Sequence, residues 1–113
     1  MFNLLIIEKK MKKVNYSLLK LMLGNFVGVE NLPSRNGCGK APNQFLVKYE
    51  NGNIFQSYDS VIGAKINGTL YLNNKHDYSN TTCGYCKRWI GLTAQERRKG
   101  LKDGTIIFIQ MEW

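Results

Sequence analysis

The chain has 113 residues, 43% of them hydrophobic and 21% charged, with a formal net charge of +8. That length suits one domain with its own core, and that balance describes an ordinary folded protein rather than a disordered one. No apolar run approaches the roughly 18 residues of a membrane span, and three cysteines fit a cytoplasmic chain, since an exported disulfide scaffold more often carries an even set.

The opening MFNLLIIEKK holds a short apolar run, Phe2 to Ile7, with its lysines after it. A secretory signal has the charge first, so the chain is expected in the cytoplasm. Met11 begins MKKVNYSLLK, which reads as a natural start of its own, and residues 1–10 read as an added extension. Leu18, Leu19, Met22, Leu23 and Phe26 recur at helical spacing, with Asn15 or Ser17 as cap and Gly24-Asn25 as the stop. Val29 to Asn43 is loop chemistry, with two prolines and two glycines among polar residues.

Strands follow: QFLVKY (Gln44 to Tyr49), IFQSY (Ile54 to Tyr58), SVIGAKI (Ser60 to Ile66) and TLYLN after Gly68. Asn51-Gly52 and Asn67-Gly68 supply the positive φ of tight hairpin turns, which predicts a four-strand meander over residues 44–73. A polar loop, Asn73 to Thr82, leads into a short helix to Ile90. Thr93 to Glu96 has the spacing of a capping box, and Gly100 with Leu101 ends that helix. Thr105 to Trp113 closes the chain as a strand whose near-continuous apolar run predicts a buried, central place. The fold class is α+β in one domain, 1–113: an N-terminal helix, an antiparallel sheet of about five strands, and two short helices before the last strand.

Charge is uneven. Residues 1–24 hold five Lys against one Glu, and residues 82–104 hold six Lys or Arg against Glu96 and Asp103. Such a distribution is the footprint of a binder of nucleic acid or of an acidic protein surface, or simply a solvated face. Lys87, Arg88, Arg97, Arg98, Lys99 and Lys102 are the candidate cations, with Tyr85 and Trp89 interleaved. Arg and Lys neutralise phosphates and aromatic faces stack on bases. Alternatively Tyr85 and Trp89, four residues apart, face the core.

Chemistry beyond binding is thin. Cys38, His76, Cys83 and Cys86 could make a Cys3His zinc set, since zinc takes four such ligands tetrahedrally, but the first two do not form a compact pair. Free, partly buried cysteines on a helix are the preferred reading. A Cys83/Cys86 redox pair lacks the preceding strand of a thioredoxin-like unit. His76 with a cysteine lacks an orienting third group, and no P-loop, nucleophile elbow or zinc-protease motif is present. The chain therefore reads as non-catalytic.

The phrases APNQF (Ala41 to Phe45), FQSYDS (Phe55 to Ser60), Tyr71-Leu72 and DYSNTTCGY (Asp77 to Tyr85) resemble a family of short phage and prophage proteins of low-GC Gram-positive bacteria, classed as a domain of unknown function. The likeness covers about residues 35–104. Where that family reads Thr-Thr-Gly-x-Tyr-Arg, this chain has Thr-Thr-Cys-Gly-Tyr-Cys, so Cys83 and Cys86 are its own. The resemblance implies a protein that works by occupying a surface. The leading expectation is an inhibitor of a bacterial defence enzyme that handles nucleic acid, in the manner of anti-CRISPR proteins. The alternative is a basic DNA- or RNA-binding accessory protein for phage replication or transcription control. Gln56, Tyr58 and Asp59 in one turn and Tyr78 in the later loop join the six cations as candidate binding residues.

Overall fold

The computed structural model describes residues 13–37 and 39–111. Lys13–Asn15 forms β1 and leads directly into helix α1, Tyr16–Leu23. The Asn15 side chain accepts from Leu18 N–H at 2.8 Å, which supplies one of the partners that a helix start lacks. Leu19 and Leu23 are fully buried, and each contributes about 2 kcal/mol by leaving water. Gly24, at φ 80°, ends the helix.

Five strands then run as an antiparallel meander: β2 (Phe26–Pro33), β3 (Lys40–Tyr49), β4 (Gly52–Ser57), β5 (Ser60–Ile66) and β6 (Thr69–Leu72). Helices α2 (Asn80–Ile90) and α3 (Ala94–Asp103) follow, and β7 (Ile107–Gln110) closes the order. The strands form one sheet in the order β1-β7-β6-β5-β4-β3-β2. Strand β7 is parallel to both neighbours. A parallel pair needs a long crossover, and here that crossover carries α2 and α3.

Because side chains alternate across a strand, the sheet has two apolar faces. Ile54, Ala64, Ile66, Tyr71, Ile107 and Ile109 pack with Leu19 and Leu23 of α1. Phe55, Ile62 and Leu72 pack on the other side with Tyr85, Cys86 and Ile106, beside Trp89 and Leu101. The architecture is an α+β stack: α1, a mixed sheet, then α2 with α3.

Several sequence expectations change. The sheet has seven strands among the described residues and is mixed, not a purely antiparallel five. Strand β2 and the start of β3 occupy the stretch that reads as loop. Pro33 ends the edge strand β2, and Pro42 precedes the point at Gln44 where β3 meets β4, so neither removes an interior ladder bond. Phe26 opens β2 instead of continuing the helical stripe and stands exposed.

Asn67 and Gly68 have the expected positive φ, at 49° and 84°, but neither Asn51 nor Gly52 does. The first hairpin turns on Glu50-Asn51, and Gly52 is a strand residue whose added Cβ would lie 1.9 Å from the Lys65 carbonyl oxygen. The capping box at Thr93 and Glu96 is formed. Gly100 does not end α3. It lies buried inside the helix against Ile106, and Gly104, at φ 87°, is the cap. Strand β7 is internal, as its apolar run predicts, though second from the edge; residues 112 and 113 of the expected strand lie outside the described residues, as do residues 1–12. No helix among the described residues is long and apolar enough to cross a membrane.

Candidate functional site

Ser57 pairs with Ser60 and closes a two-residue turn, Tyr58-Asp59, between β4 and β5. Tyr58 sits at φ 54°, in the left-handed region. For a residue with a Cβ this costs roughly 1–2 kcal/mol, so its surroundings must hold it there. They do: Tyr58 N–H donates to the Asn43 carbonyl at 2.7 Å, and Gln56 Nε2 donates to the Tyr58 carbonyl at 2.8 Å. Gln56, a candidate contact residue, is thus engaged in holding the turn. Tyr58 and Asp59 are exposed, Tyr58 by 52%.

The second loop runs from Asn73 to Ser79. Asn73 is buried; its Nδ2 donates to the Val61 carbonyl, and its Oδ1 accepts from Lys75 N–H at 2.8 Å. Ser79 caps α2 by accepting from Thr82 N–H at 3.1 Å. Asp77 pairs with Arg98 of α3 at 2.8 Å. Tyr78 stands out between these anchors, 80% exposed.

The two loops are joined. Ser57 Oγ and Thr82 Oγ1 share a buried hydrogen bond of 3.0 Å. Gln44 stands opposite Ser57 in the β3–β4 register and is also buried; no donor among the described residues reaches its Oε1. The APNQF, FQSYDS and DYSNTT phrases therefore meet at one end of the sheet. Sequence reasoning finds the exposed tyrosines but not the Ser57–Thr82 bond, because nothing in either segment says which distant hydroxyl it will meet.

Of the six candidate cations, Lys87, Arg88, Arg98, Lys99 and Lys102 are exposed on α2 and α3. Arg88 Nη1 donates to the Ser34 carbonyl at 3.2 Å, which ties the β2–β3 connection to α2. Arg97 is a correction: it is 0% exposed and belongs to no surface patch. Its spacing to Gly100 and Leu101, three and four residues on, places it on the inner side of α3, and that spacing was the available signal. Its Nε donates to His76 Nδ1 at 3.0 Å, Nη1 to the Leu92 carbonyl at 2.8 Å, and Nη2 to the His76 carbonyl at 3.3 Å and Cys83 Sγ at 3.0 Å.

Tyr85 and Trp89 face inward. Tyr85 Oη accepts from Arg35 N–H at 3.1 Å, which holds the phenol below its ordinary value, and the Arg35 guanidinium lies 5.2 Å from its ring centre. Trp89 packs on Phe55 at 5.5 Å, and its Nε1 donates to Asn53 Oδ1 at 3.0 Å. Neither ring is presented for stacking on a base.

The zinc set is overturned. Among the described residues no group of three or more His, Cys, Asp or Glu side chains could hold a metal ion. A cation already stands between two of the expected ligands, since the Arg97 guanidinium bonds both His76 Nδ1 and Cys83 Sγ. Cys86 is sealed in the apolar core, where burial pushes its thiol up to about 11. Cys38 lies outside the described residues. His76 and Cys83 also do not form a base–nucleophile pair, because each is bonded to the guanidinium.

No curated protein and no solved structure matches the chain. A family model described as "Family of unknown function (DUF8033)" matches residues 26–104. That span opens on the first residue of β2, ends on the glycine that caps α3, and contains both tyrosine loops and all the exposed cations of α2 and α3; the chain belongs to the DUF8033 family.

Proposed function

We propose that this protein is a non-catalytic docking protein of phage or mobile-element type, acting in the bacterial cytoplasm, that blocks a host nucleic-acid-handling defence enzyme by covering its surface. One observation carries the reading: Tyr58 and Tyr78 are exposed on two loops that a buried Ser57–Thr82 hydrogen bond fastens together. Tyrosine is among the residues that dominate protein–protein binding energy, and loops ordered before binding lose less entropy in the complex. Asp59 beside Tyr58, and the exposed cations of α2 and α3, supply polar rim contacts. The phage context rests on the resemblance of the same three phrases.

The test is capture from a nuclease-treated host lysate, followed by assay of the captured enzyme. A stoichiometric nucleic-acid-handling enzyme that the protein inhibits supports the reading. Capture that vanishes on nuclease treatment, with steeply salt-dependent binding to bare DNA or RNA, overturns it in favour of the accessory-protein alternative. Tyr58→Ala and Tyr78→Ala should each weaken the complex about 30-fold.

A further inference from the structure

Strand β2 leaves one edge of the sheet open. It stands last in the strand order and, among the described residues, pairs only with β3, so its outward N–H and C=O groups meet no further strand. Such an edge is a template for another chain, and proteins blunt it with short strands, lysines or prolines. Strand β2 has eight residues and no Lys or Arg, and its proline is its last residue. Phe26, Val27 and Val29 stand on it as exposed apolar side chains. The opposite edge, β1, has three described residues and offers a poor match in length. A sheet that grows through β2 therefore grows onto another β2, and that pairing closes at two copies.

We propose that two copies of this chain associate through β2, antiparallel about a two-fold axis at Val29, into one continuous sheet. Charge selects the register. The ladder with β3 is regular from Gly28 to Asn31, with Gly28 opposite Lys48, and shifts on either side of that stretch. The one charge on β2 is Glu30, which lies 3.3 Å from Lys48 with both side chains about half exposed. An axis at Glu30 would set two carboxylates face to face, which is destabilising. An axis at Val29 instead sets Glu30 opposite Gly28 of the second copy. Gly28 has no side chain, and nothing lies within 4 Å of where a Cβ would stand. Neighbouring strands lie about 4.8 Å apart, so the Glu30 carboxylate can reach over Gly28 to Lys48 in the same row. The symmetric contact repeats this, and two Glu and two Lys alternate on one face of the joined sheet. On the other face Val29, level with Val47 of β3, meets Val29 of the second copy. Tyr58 and Tyr78 lie on other connections, so the pair would carry two copies of the tyrosine face, and it stands or falls independently of what that face binds.

The test is sedimentation equilibrium of the full chain between roughly 5 and 500 µM, which brackets the micromolar Kd expected of a short strand pairing. The mean mass should rise from 13.0 kDa toward twice that value. Val29→Lys sets two cations against each other at the axis and should weaken association by about tenfold or more. Glu30→Lys should weaken it as well, and adding Lys48→Glu should restore it, because the alternating charges re-form with their signs exchanged. A chain that stays at 13.0 kDa throughout, as it would if residues 1–12 covered the edge, overturns the proposal. So does a dimer that Val29→Lys leaves intact, or a charge exchange that fails to restore association. Should Val29→Lys not fold, hydrogen exchange of the unsubstituted chain decides. Protection of the β2 amides that rises with concentration supports the pairing, and protection independent of concentration overturns it.

Discussion

The hydroxyls of Ser57 and Thr82, 25 residues apart in the chain, meet at 3.0 Å in a buried position. This bond sets how the Tyr58 turn stands relative to the Tyr78 loop. Thr82→Val keeps the volume and strands the Ser57 hydroxyl, so it should cost about 1–2 kcal/mol. Ser57→Ala combined with Thr82→Val should cost less than the sum of the two single changes, by about 0.5 kcal/mol or more. Urea denaturation of the three variants measures both effects, and additive losses would show that the hydroxyls are not coupled.

Arg97 holds α3 to the His76 loop and to α2. Arg97→Met should lose about 3 kcal/mol, because His76 Nδ1 and two backbone carbonyls lose their donor. Lys99→Ala, on the exposed side of the same helix, should stay within about 0.5 kcal/mol of the parent. Equal losses at the two positions in chemical denaturation would place Arg97 outside the core.

Burial above all, with Arg97 and Arg98 adding to it and Asp77 opposing, holds His76 below its ordinary value of 6.5. The unfolded chain therefore takes up the proton more readily than the folded one. The contribution of His76 is fully present above pH 6.5 and falls as the pH drops below it, by up to about 1.4 kcal/mol per pH unit. Glu96, held low by the Thr93 N–H, adds its own loss only below 4.5. His76→Asn, which offers Arg97 an acceptor that does not titrate, should flatten the upper part of the profile. A denaturation midpoint followed from pH 8 to about 5 tests this.

Two glycines should respond oppositely to alanine. At Gly52 the new Cβ would sit 1.9 Å from the Lys65 carbonyl oxygen, so the β4–β5 ladder must move, at about 3 kcal/mol. Gly28, in β2, has nothing within 4 Å of a new Cβ and no positive φ. There alanine should be neutral or stabilise by up to about 1 kcal/mol. Thermal melts of the pair separate the two cases.

Local signals made much of the fold legible. The helical stripe from Leu18 to Leu23, the Asn67-Gly68 turn and the Thr93 box all act over a few residues, and all appear where expected; the four strands expected between Gln44 and Asn73 form too, the first of them starting earlier, at Lys40. What was not legible depends on distant partners. Strand β1 is three residues that, among the described residues, pair only with β7, and β2 is a strand because β3 offers it a ladder, in spite of turn-forming residues close by. The exposed tyrosines of the candidate face could be read from their loops, whereas Arg97 stood in a run of cations with Arg98 and Lys99, and its spacing to Gly100 and Leu101 was what set it apart. Which of the three turned inward depended on the helix phase relative to Gly100 and Ile106.

The position of β7 has a consequence during synthesis. The meander from β2 to β6 can pair as it leaves the ribosome, since each strand meets the one made just before it. Strand β1 emerges before the meander but, among the described residues, joins the sheet only through β7, which follows it. Until then the apolar side of α1, with Leu19 and Leu23, lacks Ile107 and Ile109. The nascent chain thus carries an unfinished core face until β7 has emerged, and this is the interval in which chaperone binding or misassembly would compete with folding.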